Sequence, residues 1–134
     1  MDILHPRSLY NIGSNKMKIE NYLYDTLNLI NSSEANNSSI VLLAMKILEK
    51  YINIDHITFY NNFDLKKYFT LTSITCLWIS YKFIIDYDDI GSKFLQTISN
   101  SHYKLYLIKE REILELLNYN IYKISKEITY EEKN

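Results

Sequence analysis

Glycine and proline are scarce in this chain of 134 residues, which contains two glycines and one proline. Sandwiches and barrels of short strands need turn residues at close intervals, and glycine and proline supply many of those turns. The chain length suits one domain with a single core. The composition therefore favours a single all-helical domain.

Cysteine and metal-binding patterns are also lacking. The one cysteine, Cys76, excludes an internal disulfide and is typical of a protein from a reducing compartment. The histidines, His5, His56 and His102, lie far apart and have no cysteine beside them. The sequence therefore predicts no metal and no other cofactor, and it contains neither a glycine-rich phosphate loop nor a Gly-x-Ser-x-Gly motif. We expect a protein that is not an enzyme.

An excess of charge of either sign is absent as well. Fifteen basic and 16 acidic residues give a net charge of −1, without the clustered lysines and arginines that bind nucleic acid. The N-terminal residues lack the pattern of a signal peptide, and the longest uncharged run, residues 68–81, is too short to span a bilayer. We expect a location in the nucleus or cytoplasm, with no membrane or nucleic-acid partner.

Apolar residues recur at helical spacing along most of the chain. The pattern predicts an irregular segment over residues 1–16, a helical domain over 17–122 and a polar tail over 123–134. Within the domain it predicts five helices, over residues 17–30, 39–52 and 64–85, a short one following Asp88 and Asp89, and one over 104–117.

The third predicted helix differs from the others because its apolar residues go nearly all the way round. A helix without a polar face is buried among other helices, so we expect this one to be central, with Leu77 and Trp78 inaccessible. In the fifth helix, the pattern places Leu107, Ile108, Leu114 and Leu117 inward and residues 109–112 outward.

Four short motifs occur in order along residues 43–122. They are LAMKILEKYI (43–52), SITCLWISYKF (73–83), KFLQTISNSHY (93–103) and LIKEREILELLNYNIY (107–122). Each motif alone is weak evidence. Taken together, the four motifs make residues 39–121 of the chain resemble a cyclin box. The resemblance implies a five-helix cyclin-box bundle around a buried central third helix. It also implies a non-catalytic regulatory subunit that binds a cyclin-dependent protein kinase, promotes its active conformation and acts in cell-cycle control.

The resemblance also implies a kinase-binding site. In cyclins, a lysine ending the third helix and a glutamate early in the fifth hydrogen-bond to the kinase backbone, and these positions correspond to Lys82 and Glu110. The apolar pocket between the two charges corresponds to four further residues, Phe83, Leu114, Tyr119 and Ile121. An ion pair between the first two helices corresponds to Lys18 and Glu49.

Simpler interpretations remain open. Taken alone, Lys82 is a cation complementing the dipole at a helix end, and Glu110 is a solvated charge. The same fold also occurs in transcription factors similar to transcription factor IIB, although these usually present basic surfaces. A helical adaptor without a kinase is a further alternative.

The groove that binds substrate motifs in mitotic cyclins is poorly matched in this chain. Its positions correspond to Met17, Glu20, Asn21 and Tyr24, so the tryptophan at its centre is replaced and two apolar positions are polar.

We therefore predict that short peptides with a basic-x-Leu motif bind this chain more weakly than micromolar, because polar residues replace apolar ones in the groove. Titration of a labelled peptide measures this. Micromolar binding that is abolished by Tyr24→Ala would contradict the prediction.

Overall fold

The computed structural model describes the backbone of residues 12–30, 37–54, 65–85 and 103–133, and side chains within 17–29, 37–54, 69–85 and 104–128. These parts of the chain form five helices and contain no strand. The helices are α1 (Ile12–Ile30), α2 (Asn37–Ile54), α3 (Leu65–Ile85), α4 (Tyr103–Leu116) and α5 (Ile121–Lys133). The all-helical prediction is confirmed for the described residues.

The five helices are not the five that the sequence predicted. The short helix expected after Asp88 and Asp89 lies outside the described residues. Helix α5 instead occupies most of the segment predicted as a polar tail, because Ile121, Ile124 and Ile128 recur at helical spacing and pack on the core. Helix α1 begins at Ile12, inside the segment predicted to be irregular.

The centre of the fold is shared by α2 and α3. Helix α2 packs against each of the other four described helices, and its longest contact is with α3. Helix α3 packs chiefly against α2 and α4, with a smaller contact to α1. The predicted inward face of α2 is confirmed, since its members are all buried: Ile40, Leu43, Ala44, Ile47, Leu48 and Tyr51.

Burial of α3 is continuous through its middle. Every residue from 72 to 81 is buried, including Leu77 and Trp78, as the pattern predicted. The small residues in this run bring the backbones of α2 and α3 close together, since Ser80 Oγ donates a hydrogen bond of 2.6 Å to the Ile40 carbonyl. Burial of each large side chain stabilises the fold by about 1.5–3 kcal/mol. Exposure resumes at Lys82 and Phe83, whereas Ile84 and Ile85 still pack partly against the core.

A tight corner joins α4 to α5. The Asn118 amide donates to the Glu115 carbonyl (3.1 Å) and the Tyr119 amide to the Leu114 carbonyl (2.8 Å), the pair of bonds that defines a Schellman cap. Both Asn118 (φ 55°) and Tyr119 (φ 57°) are left-handed. Asparagine tolerates this conformation, whereas for tyrosine it costs about 1–2 kcal/mol. The corner directs the apolar face of α5 onto α2.

Cys76 lies on the buried part of α3, where its side chain has no exposure. Removal from water raises the pKa of the Cys76 thiol well above its ordinary value, and the nearby positive charge of Lys109 opposes this effect less strongly. The thiol of the folded chain is therefore neutral and inaccessible, as expected for a structural cysteine.

We predict that the Cys76 thiol reacts with a thiol reagent only when the chain unfolds. Above pH 9.0, its ordinary pKa, the unfolded thiol ionises while the folded thiol stays neutral. The free energy of unfolding then falls by about 1.4 kcal/mol per pH unit from this group alone. Urea titrations of the parent and of Cys76→Ala across pH 8–11 isolate the effect, because the variant lacks the thiol. Equal slopes for the two proteins would contradict the prediction.

Candidate partner-binding site

The end of α3 brings Trp78 and Lys82 together. The two residues are four positions apart, so they lie on the same face of the helix, one turn from each other. The Lys82 ammonium sits over the indole ring, 4.6 Å from its centroid. A cation in this position is attracted by the negative face of the ring, which contributes about 0.5–1 kcal/mol at an exposed site. Trp78 itself is buried, so the lysine rests on a fixed surface.

Glu110 of α4 completes a cluster with these two residues. The Lys82 ammonium donates to Glu110 Oε2, and the Trp78 indole nitrogen donates to Glu110 Oε1 at 3.2 Å. Each carboxylate oxygen therefore holds a different donor from α3. The Trp78–Lys82–Glu110 cluster links the two helices, and it joins the two charged residues that the sequence singled out.

The two charges of the cluster differ in their exposure to water. The Lys82 side chain is 43% exposed, whereas the Glu110 side chain is 12% exposed. The expectation that Glu110 lies on the outward surface of its helix is therefore wrong. Its carboxylate is covered because it has hydrogen-bond partners on α3, which satisfy a charge that would otherwise be costly to bury.

The buried face of α4 also differs from the prediction. Lys109, predicted outward, is 5% exposed, whereas Leu107 and Ile108, predicted inward, are both exposed. The observed buried stripe contains Lys109, Ile113 and Leu117, spaced four residues apart. At 3.6 residues per turn, this stripe lies roughly a quarter-turn from the predicted one. The apolar pattern failed here because two charged residues face the interior.

Lys109 is held by residues from two helices. Its ammonium donates to the Tyr51 hydroxyl (3.2 Å) and to Glu112 Oε2 (3.0 Å), and the Tyr51 hydroxyl donates to Glu112 Oε1 (3.1 Å). It also lies 5.4 Å from the centroid of the Tyr51 ring. This Tyr51–Lys109–Glu112 network fixes the rotation of α4 against α2. Glu110, the next residue along α4, is thereby turned toward α3.

The remaining predicted site residues fall into two groups. Phe83 is 42% exposed and Tyr119 is 62% exposed, so both are accessible to a partner. Leu114 packs partly against the core, and Ile121 is buried in it. Among the described contacts, a backbone hydrogen bond joins Tyr119 to Leu114, and none joins Phe83 to these residues. Accessible apolar surface at the site therefore comes from the two aromatic side chains.

The ion pairs between helices also differ from expectation. Glu49 pairs with Lys46, one turn earlier on α2, at 3.7 Å instead of with Lys18. The described pair that joins α2 to another helix is Lys50–Glu127, at 3.0 Å, which ties α2 to α5.

Neither a metal-binding cluster nor a membrane-spanning helix occurs among the described residues. No group of three histidine, cysteine or acidic side chains in the described part of the chain is placed to hold a metal ion, and all three histidines lie outside that part. None of the described helices has both the length and the apolar character needed to cross a membrane.

Sequence reasoning missed Trp78 and Tyr51 as partners of the charged residues. Trp78 had a usable signal, because it precedes Lys82 by one turn on the same helix face. The signal for Lys109 was weaker, since it lies at helical spacing, four residues apart, with Ile113 and Leu117. Tyr51 had none, because its contact with α4 spans 58 residues of the chain.

Comparison with known proteins gives no relative. No protein-family model, curated protein or solved structure matches the chain. Any functional assignment therefore depends on the residues themselves and on their geometry.

We predict that two substitutions in the Tyr51–Lys109–Glu112 network differ in their cost to stability. Glu112→Ala leaves the buried ammonium without its carboxylate and lowers the free energy of unfolding by about 1–3 kcal/mol. Lys109→Met replaces the charge with an apolar chain of similar size and changes stability by less than about 1.5 kcal/mol. Urea denaturation measures both.

The control for these variants is Glu115→Ala, because Glu115 forms an exposed pair with Arg111 on the same helix, at 3.0 Å. Its loss should cost less than about 1 kcal/mol. A cost for Glu112→Ala no greater than that of the control would show that the network does not hold the buried lysine.

Proposed function

We propose that this chain is a cyclin-like regulatory subunit that binds a cyclin-dependent protein kinase, promotes its active conformation and acts in cell-cycle control. The proposal also assigns the five-helix cyclin-box arrangement to the chain and a location in the nucleus or cytoplasm. The chain supplies no catalytic residue and no cofactor. In this proposal the partner is a protein kinase, and the chain binds neither nucleic acid nor a membrane.

The observation that carries this proposal is the cluster at the junction of α3 and α4. Lys82 and Glu110 were chosen from the sequence as a pair, although 28 residues separate them, and their side chains are in contact. An isolated helix-end lysine does not require a carboxylate from another helix. A recognition site for backbone groups does benefit from a cation held in a fixed position, since an ammonium offers three donors to carbonyl oxygens.

Two exposed aromatic residues support the same proposal. Phe83 follows Lys82 directly, and Tyr119 is presented by the strained corner between α4 and α5. Aromatic anchors surrounded by polar groups are typical of the residues that contribute most to binding at protein interfaces. In the proposed complex, these rings receive an apolar side chain of the kinase while Lys82 bonds to its backbone.

Activation in this proposal is a conformational effect on the kinase. The chain docks against the regulatory helix of the kinase and holds it inward, which completes the Lys–Glu ion pair that phosphoryl transfer requires. The catalytic groups all belong to the kinase. The chain shifts the kinase equilibrium toward the active state. The size of the shift is the difference between the binding free energies of the chain for the active and the inactive kinase.

We predict that the tagged chain captures a protein kinase from its source cells, and that the purified kinase binds it directly. In calorimetric titration, Lys82→Ala should weaken binding about tenfold to a hundredfold, since it removes a charge-assisted hydrogen bond worth about 1.5–3 kcal/mol. Phe83→Ala should weaken binding through lost apolar burial, with less dependence on salt. Kinase activity toward a peptide substrate should rise when the parent chain is added.

Two matched controls lie on α1. Lys18→Ala removes an exposed lysine and Leu29→Ala an exposed apolar side chain, and both should bind like the parent. Circular dichroism verifies that each variant is folded. If Lys82→Ala and Phe83→Ala are folded and bind as tightly as the controls, the site is not where the kinase binds. Failure of the parent to bind any kinase would overturn the proposed function.

A further inference from the structure

We propose that the two charges of the Trp78–Lys82–Glu110 cluster have different roles: Lys82 contacts the partner, and Glu110 is a positioning residue that acts through Lys82. The inference rests on the proposed function for the identity of the partner. It differs from an arrangement in which both charges bond to the partner.

The hydrogen-bonding capacity of the two groups supports this division. An ammonium has three donors, and the described hydrogen bond of Lys82 uses one of them. Glu110 has one donor on each of its oxygens, Lys82 on one and Trp78 on the other. A partner carbonyl therefore finds further donors on the exposed Lys82, whereas each Glu110 oxygen already accepts one bond and its remaining lone pair is largely covered.

The solvent exposure of the two side chains independently supports this division of roles. The Lys82 side chain is 43% exposed and the Glu110 side chain 12% exposed. A partner group therefore reaches the Lys82 ammonium more readily than the Glu110 carboxylate.

The surroundings of Glu110 suit a positioning role. The Tyr51–Lys109–Glu112 network sets the rotation of α4, and the indole nitrogen of Trp78 fixes one oxygen of the carboxylate. The other oxygen is then directed at Lys82. A lysine side chain has four rotatable bonds, and holding it over the Trp78 ring before binding reduces the entropy lost when the complex forms.

The test is a double-mutant cycle measured as affinity for the kinase. Glu110→Gln keeps an acceptor for Trp78 but removes the charge that holds Lys82. In the parent background it should weaken binding about threefold to tenfold. In the Lys82→Ala background it should have no further effect, because the residue through which it acts is gone. A merely structural role for Glu110 would lower the affinity by the same factor in both backgrounds, as would a direct contact with the partner, and either result overturns the inference.

The matched control is Glu115→Gln, the same substitution at an exposed carboxylate on the same helix, paired with Arg111. It should leave the affinity unchanged in both backgrounds. Thermal denaturation of all the variants shows whether a loss of affinity follows a loss of fold.

A second arm needs no kinase. The indole ring should shift the NMR signals of the Lys82 ε-methylene protons upfield, because the ammonium lies 4.6 Å from the ring centroid. In Glu110→Gln these signals should move to the values of an unconstrained lysine, and in Glu115→Gln they should stay in place.

The two arms separate this inference from the proposed function. If the parent binds no kinase, the proposed function fails, and the NMR arm still decides whether Glu110 positions Lys82. If the parent binds a kinase but the Lys82 signals do not move in Glu110→Gln, the proposed function survives and the positioning role is wrong.

Discussion

The complete burial of the middle of α3 is the constraint on which the rest of the structure depends. A helix without a polar face has to be enclosed, and α2 provides most of the enclosure, with Ser80 bonded to the Ile40 carbonyl where the two backbones meet. Because α2 also packs against α1, α4 and α5, it transmits the position of α3 to all the described helices. Lys82 lies where this enclosure ends, so the site begins at a rigidly held helix end.

Two buried or nearly buried charges give α4 a unique orientation. An apolar stripe tolerates some rotation, because one leucine contact replaces another at little cost. Lys109 and Glu110 tolerate none, because each has partners on a different helix, Tyr51 on α2 and Trp78 on α3. A rotation that broke either set would leave a charge buried without a partner, at a cost of several kcal/mol. We infer that these charges contribute orientational specificity more than net stability.

Predictions from the sequence succeeded where apolar burial decides the structure and failed where polar partners decide it. The inward face of α2 and the burial of Leu77 and Trp78 follow from hydrophobic periodicity alone. The resemblance of short motifs singled out Lys82 and Glu110 as kinase-binding residues, which stays a prediction, and the direct contact between them was not predicted. The face of α4 was predicted in part: Leu117 is buried as expected, but Leu107 and Ile108 are exposed. The prediction failed there because Lys109 is satisfied by a tyrosine far away in the chain, which no local pattern reveals. Helix α5 was missed because its three inward isoleucines are diluted by many charged residues.

The position of α5 has a consequence for synthesis on the ribosome. Ile121 and Ile124 belong to the core, and α5 covers part of α2, the helix that all the others contact. While the chain emerges from the exit tunnel, α2 and α3 are already outside, but a side of their apolar surface stays open until α5 follows. The nascent chain therefore carries exposed core residues until α5 leaves the tunnel. Chaperones have the longest access to this surface, and a partner arriving during synthesis would meet an incomplete fold.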